Sequence, residues 1–127
     1  MHPQPGLSAS VSLKVADADT AAALRSGTVA VLGTPRIVAL CEEACCLAVE
    51  PQLLAGETTV GSRVELSHLA PSPVGVVVTA EATLERVEGR RLIFTVAVTD
   101  PKGLVAAGKI TRVVVDAERF VAKAQEP

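Results

Sequence analysis

The spacing of apolar residues changes from a helical period to a period of two after residue 57. Within 35–49 apolar side chains fill nearly every position, and at about 100° per residue the charged side chains share one narrow stripe: Arg36, Glu43 and Glu50. This pattern predicts one long helix over 35–49, with Thr34 as the N-cap and Pro35 at the first helical position. Because little of its surface is polar, we expect the helix to be buried nearly all round.

Alternating apolar and polar residues predict four strands after the helix, separated by turns rich in proline, glycine and aspartate. The positions predicted to face inward are Val60, Val64, Leu66 and His68; alternate residues from Val76 to Leu84; Leu92, Phe94, Val96 and Val98; and Leu104, Ala106, Gly108, Ile110, Arg112 and Val114. Another strand over 8–15 precedes the helix, and the Ala-rich segment 17–26 is typical of a short helix or lid. The elements predict an α+β domain in which a curved antiparallel β-sheet wraps around the long central helix.

Length and composition bound the possible functions. A chain of 127 residues forms one domain, here predicted over 8–127 after a disordered tail at 1–7. The 49% apolar content excludes intrinsic disorder, while the net charge of −2 and the lack of Trp and Tyr argue against nucleic-acid binding. No long apolar run or signal-type N-terminus is present, so we expect a soluble cytoplasmic protein that does not bind membranes.

The three cysteines, Cys41, Cys45 and Cys46, form no disulfide framework and lack the spacing of a zinc site. We expect them to be small buried side chains in a reducing compartment, with no metal bound. The sheet leaves edge strands and one face open, and much of that face is Val, Thr and Ala. This predicts a homodimer or a higher homo-oligomer.

Three polar side chains fall on phases predicted to face inward, namely Glu42, His68 and Arg112. A buried carboxylate needs a partner or a chemical role, and Glu42 could simply pair with Arg112. Together the three provide an acid, a possible base and a cation, which suits acyl transfer or hydrolysis. Thr34 adds a hydroxyl two turns before Glu42, and Gly61 marks either a β-bulge or a close approach of ligand to the backbone.

The order of several motifs resembles the hot-dog-fold acyl-CoA thioesterases, and within them the fluoroacetyl-CoA thioesterase-like group. The resemblance covers roughly residues 8 to 123 and rests on Gly33-Thr34-Pro35, Leu40 to Cys45, Val60 to Val64, His68 to Gly75, Val87 to Leu92, Gly108 to Arg112, and Phe120. It implies a homodimer with composite sites at the subunit interface.

The resemblance also implies roles for single residues. Thr34, Glu42 and His68 would form the catalytic group, Gly61 would offer its backbone N–H to the thioester oxygen, and Arg112 would lie near the coenzyme A portion of the substrate. No metal or redox cofactor is implied. Glu42 would activate a water or attack the thioester directly, and the sequence leaves both routes open.

Two features depart from the family pattern. Residues 15–31 contain no aromatic side chain where the fluoroacetyl-specific form carries Phe, so the resemblance does not predict selectivity for fluoroacetate. Ile110 stands where the family often has His, two residues before Arg112. The leading hypothesis is a thioesterase that hydrolyses a small acyl-CoA, and the alternative is a non-catalytic acyl-CoA-binding hot-dog dimer module.

Overall fold

A computed structural model describes residues 2–127 and contains five strands and three helices. They are β1 (Ser8–Lys14), α1 (Ala21–Leu24), α2 (Thr34–Val49), β2 (Glu57–His68), β3 (Val77–Glu88), β4 (Arg91–Asp100), β5 (Gly103–Asp116) and α3 (Ala117–Ala124), with single turns of 3₁₀-helix at Asp17–Asp19 and Glu50–Gln52. None of the helices within 2–127 has the length and apolarity needed to cross a bilayer.

The five strands form one sheet in the order β1-β3-β4-β5-β2, and every neighbouring pair is antiparallel. Helix α2 lies across the concave face and packs mainly on β1 and β3. The core between them is apolar, with Phe94, Leu84, Leu92, Ile110, Ile37 and Leu40 among its fully buried side chains. The predicted α+β architecture with a central helix is therefore confirmed.

Helix α2 is less enclosed than its composition suggests. Its buried side consists of Ile37, Leu40, Cys41, Ala44, Cys45, Ala48 and Val49. On the other side Ala39 and Glu43 are exposed and Leu47 is 46% exposed. The expectation of burial nearly all round is wrong for a single chain, because one sheet covers only one side of a helix.

The sheet has three shifts of register, and two of them change which of the predicted residues face inward. In β2 the pairing shifts between Gly61 and Arg63, so Thr59 and Gly61 face α2 and Val60 lies on the opposite face. After the bulge, Val64, Leu66 and His68 lie on the predicted phase. The register of β5 shifts near its start, and Leu104 pairs with Thr99 on the outer face, where it is 50% exposed. The predictions for Val60 and Leu104 are therefore wrong, since an extra residue reverses the alternation.

The N-terminal residues are attached to the domain. The backbone N–H of His2 donates to the Gln52 carbonyl oxygen at 3.2 Å, that of Gly6 donates to the Leu84 carbonyl oxygen at 2.8 Å, and Pro3 is buried. These bonds hold the described part of the segment against the domain, and the disordered tail expected at residues 1–7 stays a prediction. Met1, which that prediction includes, lies outside the described residues.

Gly108 allows β5 to approach β2 closely. A Cβ at this position would overlap the Glu65 carbonyl oxygen and lie 2.8 Å from Leu66 Cα, both backbone atoms that cannot move alone.

We expect Gly108→Ala to lower the free energy of unfolding by about 3 kcal/mol, the upper part of the range for overpacking. Gly27→Ala is the matched control, because its Cβ would meet only the Ala21 side chain at 3.5 Å. Urea denaturation measures both variants. Equal stability of the two would contradict the described packing of β2 on β5.

Candidate active site

The first turn of α2 places the Thr34 hydroxyl. The helix is capped by Gly33, whose extended backbone (φ −80°, ψ 145°) accepts the first helical hydrogen bonds, and Thr34 is the first helical residue. The prediction that Thr34 is the N-cap is wrong by one residue. Because no capping bond occupies the Thr34 hydroxyl, it is available to another partner.

That partner is His68, the last residue of β2. Thr34 Oγ1 lies 2.8 Å from His68 Nδ1, and His68 Nε2 lies 3.1 Å from the Ala70 carbonyl oxygen. A carbonyl oxygen only accepts hydrogen bonds, so Nε2 carries the proton in this arrangement. In the neutral ring Nδ1 then accepts the Thr34 proton, the geometry of a hydroxyl polarised by a base.

A shallow pocket adjoins this pair. It has a volume of about 210 Å³ and is lined by His68 and the apolar residues Val31, Leu69, Ala70 and Pro71. Leu69 is 61% exposed. The pocket therefore offers an apolar surface beside a polar pair of side chains.

A second cluster surrounds Arg112, which β5 directs inward. Its Nε donates to Thr59 Oγ1 at 2.9 Å and its Nη2 donates to the Thr59 carbonyl oxygen at 2.8 Å. Its Nη1 donates to Glu42 Oε2 at 2.6 Å. The Arg112 side chain is 8% exposed and that of Glu42 is 32% exposed, so the carboxylate reaches solvent although the guanidinium does not.

Gly61 lies directly beneath the Glu42 carboxylate. A Cβ on Gly61 would overlap Glu42 Oε2 and lie 3.3 Å from Arg112 Nη1. The hypothesis that this glycine marks a bulge is confirmed, and the group that approaches its backbone within the chain is the Glu42 side chain. The close approach of a ligand stays a prediction. The role of the Gly61 N–H toward a thioester oxygen stays a prediction.

The predicted site residues fall into two groups in one chain. Thr34 contacts His68, and Glu42 contacts Arg112 beside Gly61. Eight residues of helix separate Thr34 from Glu42, a rise of about 12 Å. No hydrogen bond or ion pair within residues 2–127 connects the two groups.

Two of the cysteines next to this cluster have unreactive thiols. Burial, together with the nearby Glu42 carboxylate, raises the pKa of the Cys41 thiol to about 11. Burial also raises the pKa of the Cys45 thiol to about 12, although the Arg112 charge acts in the opposite direction. Both side chains are buried as expected, whereas Cys46 is half-buried with its Sγ 3.9 Å from Thr59 Oγ1. Cys41 and Cys45 are therefore protonated at neutral pH and do not serve as nucleophiles.

Comparison with known proteins identifies the family. Residues 15–118 match the family model of the fluoroacetyl-CoA-specific thioesterases. The chain belongs to this family. It is 38% identical over 96 residues to the fluoroacetyl-CoA thioesterase of Streptantibioticus cattleyicolor, a match covering 76% of this chain and 69% of that protein.

Solved structures agree with this membership. A structure of the fluoroacetyl-CoA thioesterase FlK aligns over 100% of both chains with a TM-score of 0.92 and 30% identity. A Thermus thermophilus hypothetical protein of the thioesterase superfamily aligns over 98% of this chain and 93% of its own, with a TM-score of 0.90 and 29% identity. The predicted hot-dog fold and the predicted class of enzyme, an acyl-CoA thioesterase, are confirmed.

Thr59 is the residue of the cluster that the sequence does not predict. Its side chain and its carbonyl oxygen accept two of the three hydrogen bonds that Arg112 donates. Alternation counted back from His68 places Val60 inward instead, because the bulge is invisible to a simple period of two. The glycine that interrupts the strand at Gly61 is the only signal of this change.

We expect Thr59→Val to destabilise the fold by about 1–3 kcal/mol, because the buried Nε–H of Arg112 loses its acceptor. Thr58→Val is the matched control, because it is the same substitution at the preceding residue, whose side chain is exposed. Thermal unfolding of both variants measures the difference. Equal melting temperatures would show that the Thr59 hydroxyl does not support Arg112.

Proposed function

We propose that the protein hydrolyses a small acyl-CoA to the free acid and coenzyme A, with Glu42, His68 and Thr34 as the catalytic group. The observation that supports this most is how the two oxygens of the Glu42 carboxylate are contacted. Arg112 holds one of its oxygens, Oε2, in the space that Gly61 leaves free, and no hydrogen-bond donor among residues 2–127 contacts Oε1. A fixed carboxylate with one unoccupied oxygen at a solvent-accessible position suits a general base.

In this reaction Glu42 takes a proton from a water whose oxygen attacks the thioester carbonyl carbon. The tetrahedral intermediate then collapses, the carbon–sulfur bond breaks, and the thiolate of coenzyme A leaves. The proton that Glu42 takes from the water is passed on to this thiolate through the Thr34 and His68 pair, whose hydrogen bond provides a route for proton movement, and Glu42 returns to its carboxylate form. The products are the carboxylic acid and the free thiol, and no further reactant is needed.

A second copy of the chain would complete the site. The catalytic side chains lie in two groups about 12 Å apart along α2, too far for one substrate carbonyl to contact both. Strand β2 is an open edge of the sheet, and a twofold axis would pair it antiparallel with the same strand of a second chain. If that pairing centres on Glu65 and passes over the bulged residue Ser62, Gly61 of one chain lies opposite His68 of the other. Glu42 would then meet the second chain's Thr34 and His68.

The exposed side of α2 supports the same dimer. Leu47 is 46% exposed and the inward-facing Val64 of β2 is 40% exposed, so apolar surface flanks both groups of polar residues. Burying such surface favours association. We therefore propose a homodimer with composite sites, and a cytoplasmic location for it remains our expectation from the sequence.

We propose that the acyl group is not specifically fluoroacetyl. The relatives with that activity belong to the same family, but residues 15–31 here contain no aromatic side chain. The surface beside His68 is built from small aliphatic residues instead. A thiol-release screen across short, branched and aromatic acyl-CoAs identifies the group, and an acyl chain carried on a protein thiol belongs in the same screen.

Glu42→Gln tests catalysis against the alternative of a non-catalytic binding module. Gln retains the volume and an oxygen for Arg112 but removes the base, so we expect kcat to fall roughly 100-fold and stability to change by about 1–2 kcal/mol. Glu43→Gln is the matched control on the exposed side of α2. Turnover of the best acyl-CoA and thermal melting are both measured. A stable Glu42→Gln protein with full turnover would refute the proposed mechanism.

Mixed dimers test the composite site. A heterodimer of one Glu42→Gln chain and one His68→Ala chain retains one intact pair of groups, so we expect about half of the wild-type turnover from two inactive parents. The heterodimer of Thr34→Ala and His68→Ala is the control, because both changes damage the same group within a chain. Tandem affinity tags isolate each heterodimer for the thiol-release assay. If the first heterodimer recovers no turnover, both groups of a working site lie in one chain and the composite site is refuted.

A further inference from the structure

Ser72 is a buried polar residue that belongs to neither catalytic group and lies in the loop between β2 and β3. It is 0% exposed, the lowest value of any polar or charged residue within 2–127. Its hydroxyl donates to Asp100 Oδ2 at 3.1 Å, and Asp100 Oδ1 accepts the backbone N–H of Lys102 at 2.8 Å. Because Asp100 ends β4, this hydrogen bond fastens the Ser72 side chain to the sheet.

The backbone of Ser72 contacts the segment that leads into α2. Its carbonyl oxygen accepts the N–H of Leu32 at 2.9 Å, and Val31 forms an isolated antiparallel bridge with Pro73. Leu32 lies two residues before Thr34. The place of the Thr34 hydroxyl therefore depends on where Ser72 lies.

The same loop holds the imidazole of His68. The N–H groups of Leu69 and Ala70 both donate to the Val105 carbonyl oxygen, at 2.7 and 3.2 Å, which attaches the start of the loop to β5. The Ala70 carbonyl oxygen, which accepts the proton of His68 Nε2, lies two residues before Ser72. Ser72 is thus close along the chain to the acceptor that decides which ring nitrogen carries the proton.

Prolines on both sides make this part of the loop stiff. Pro71 and Pro73 each have a restricted φ, and each also disfavours helical backbone at the residue before it, here Ala70 and Ser72. A stiff segment moves as a unit. Release of the Ser72 hydroxyl from Asp100 would therefore move the carbonyl oxygens of Ala70 and Ser72 together.

We propose that Ser72, anchored by Asp100, is a positioning residue for the Thr34 and His68 pair. It touches neither the substrate nor the reacting atoms, and it acts by keeping Thr34 Oγ1 and His68 Nδ1 at 2.8 Å with the ring proton on Nε2. A displacement of about 1 Å in a catalytic group can cost roughly 100-fold in rate. This role rests on the proposed function, which gives the pair a proton to carry.

The tautomer of His68 is a readout that needs no turnover. Nitrogen NMR of the neutral ring distinguishes a proton on Nε2 from one on Nδ1, and His2→Gln in every protein leaves one imidazole to observe. We expect the Nε2–H form alone in the parent protein and a mixture of both forms in Ser72→Ala. Ser67→Ala is the matched control, because it is the same substitution on an exposed side chain next to His68.

Kinetics show whether this positioning serves the reaction. For the best acyl-CoA we expect Ser72→Ala to lower kcat about tenfold with KM within about twofold, since a displaced catalytic pair loses rate more than affinity. Asp100→Ala should lower kcat at least as much, and the double variant should be no slower than Asp100→Ala, because both changes release the same hydroxyl. Ser67→Ala should keep the wild-type kcat and KM.

The two readouts together decide the role of Ser72. An unaltered tautomer in Ser72→Ala would overturn the proposal even if the melting temperature fell, because Ser72 would then support only the fold. An altered tautomer with unchanged kcat would overturn it as well. If the wild-type protein hydrolyses no thioester but the tautomer still changes in Ser72→Ala, Ser72 does position His68 and the proposed function fails.

Discussion

A buried guanidinium is the constraint on which the site around α2 depends. Arg112 brings its charge into the space between sheet and helix, where an unpaired cation would be strongly unfavourable. Each of its three nitrogen atoms therefore donates a hydrogen bond, to the Thr59 hydroxyl, the Thr59 carbonyl oxygen and the Glu42 carboxylate. Removal of any one acceptor would leave a buried donor unpaired, so the positions of β2 and α2 are tied to each other through one side chain.

This arrangement explains why the bulge in β2 matters. The extra residue turns Thr59 and Gly61 toward α2, and the absence of a side chain at Gly61 leaves space for the Glu42 carboxylate. A structural role and a catalytic role for Glu42 are compatible here, because Arg112 contacts only one carboxylate oxygen. The ion pair by itself therefore does not distinguish an enzyme from a binding module, and the activity of the family is what favours the enzyme.

Periodicity predicts the sheet and the helix because each has one well-covered face. The residues of β3 and β4 predicted to face inward are buried from Val78 to Leu84 and from Leu92 to Val98. Glu42 and Arg112 stand out because a charge on an apolar phase needs a partner. Local backbone geometry is what the pattern misses. The helix cap is Gly33 instead of Thr34, and β2 contains one extra residue. Neither feature follows from a hydrophobic period, yet the two decide which hydroxyl reaches His68 and which one reaches Arg112.

The open edge of β2 has a consequence for the newly made chain. Alternate residues along its twelve positions present unpaired backbone groups, and such an edge can template pairing with any extended segment nearby. Arg63 and Glu65 lie on this strand as an exposed ion pair of 2.6 Å, and charges of this kind disfavour indiscriminate strand addition. Between translation and its first encounter with a partner, these two charged side chains thus help to protect the open edge from aggregation.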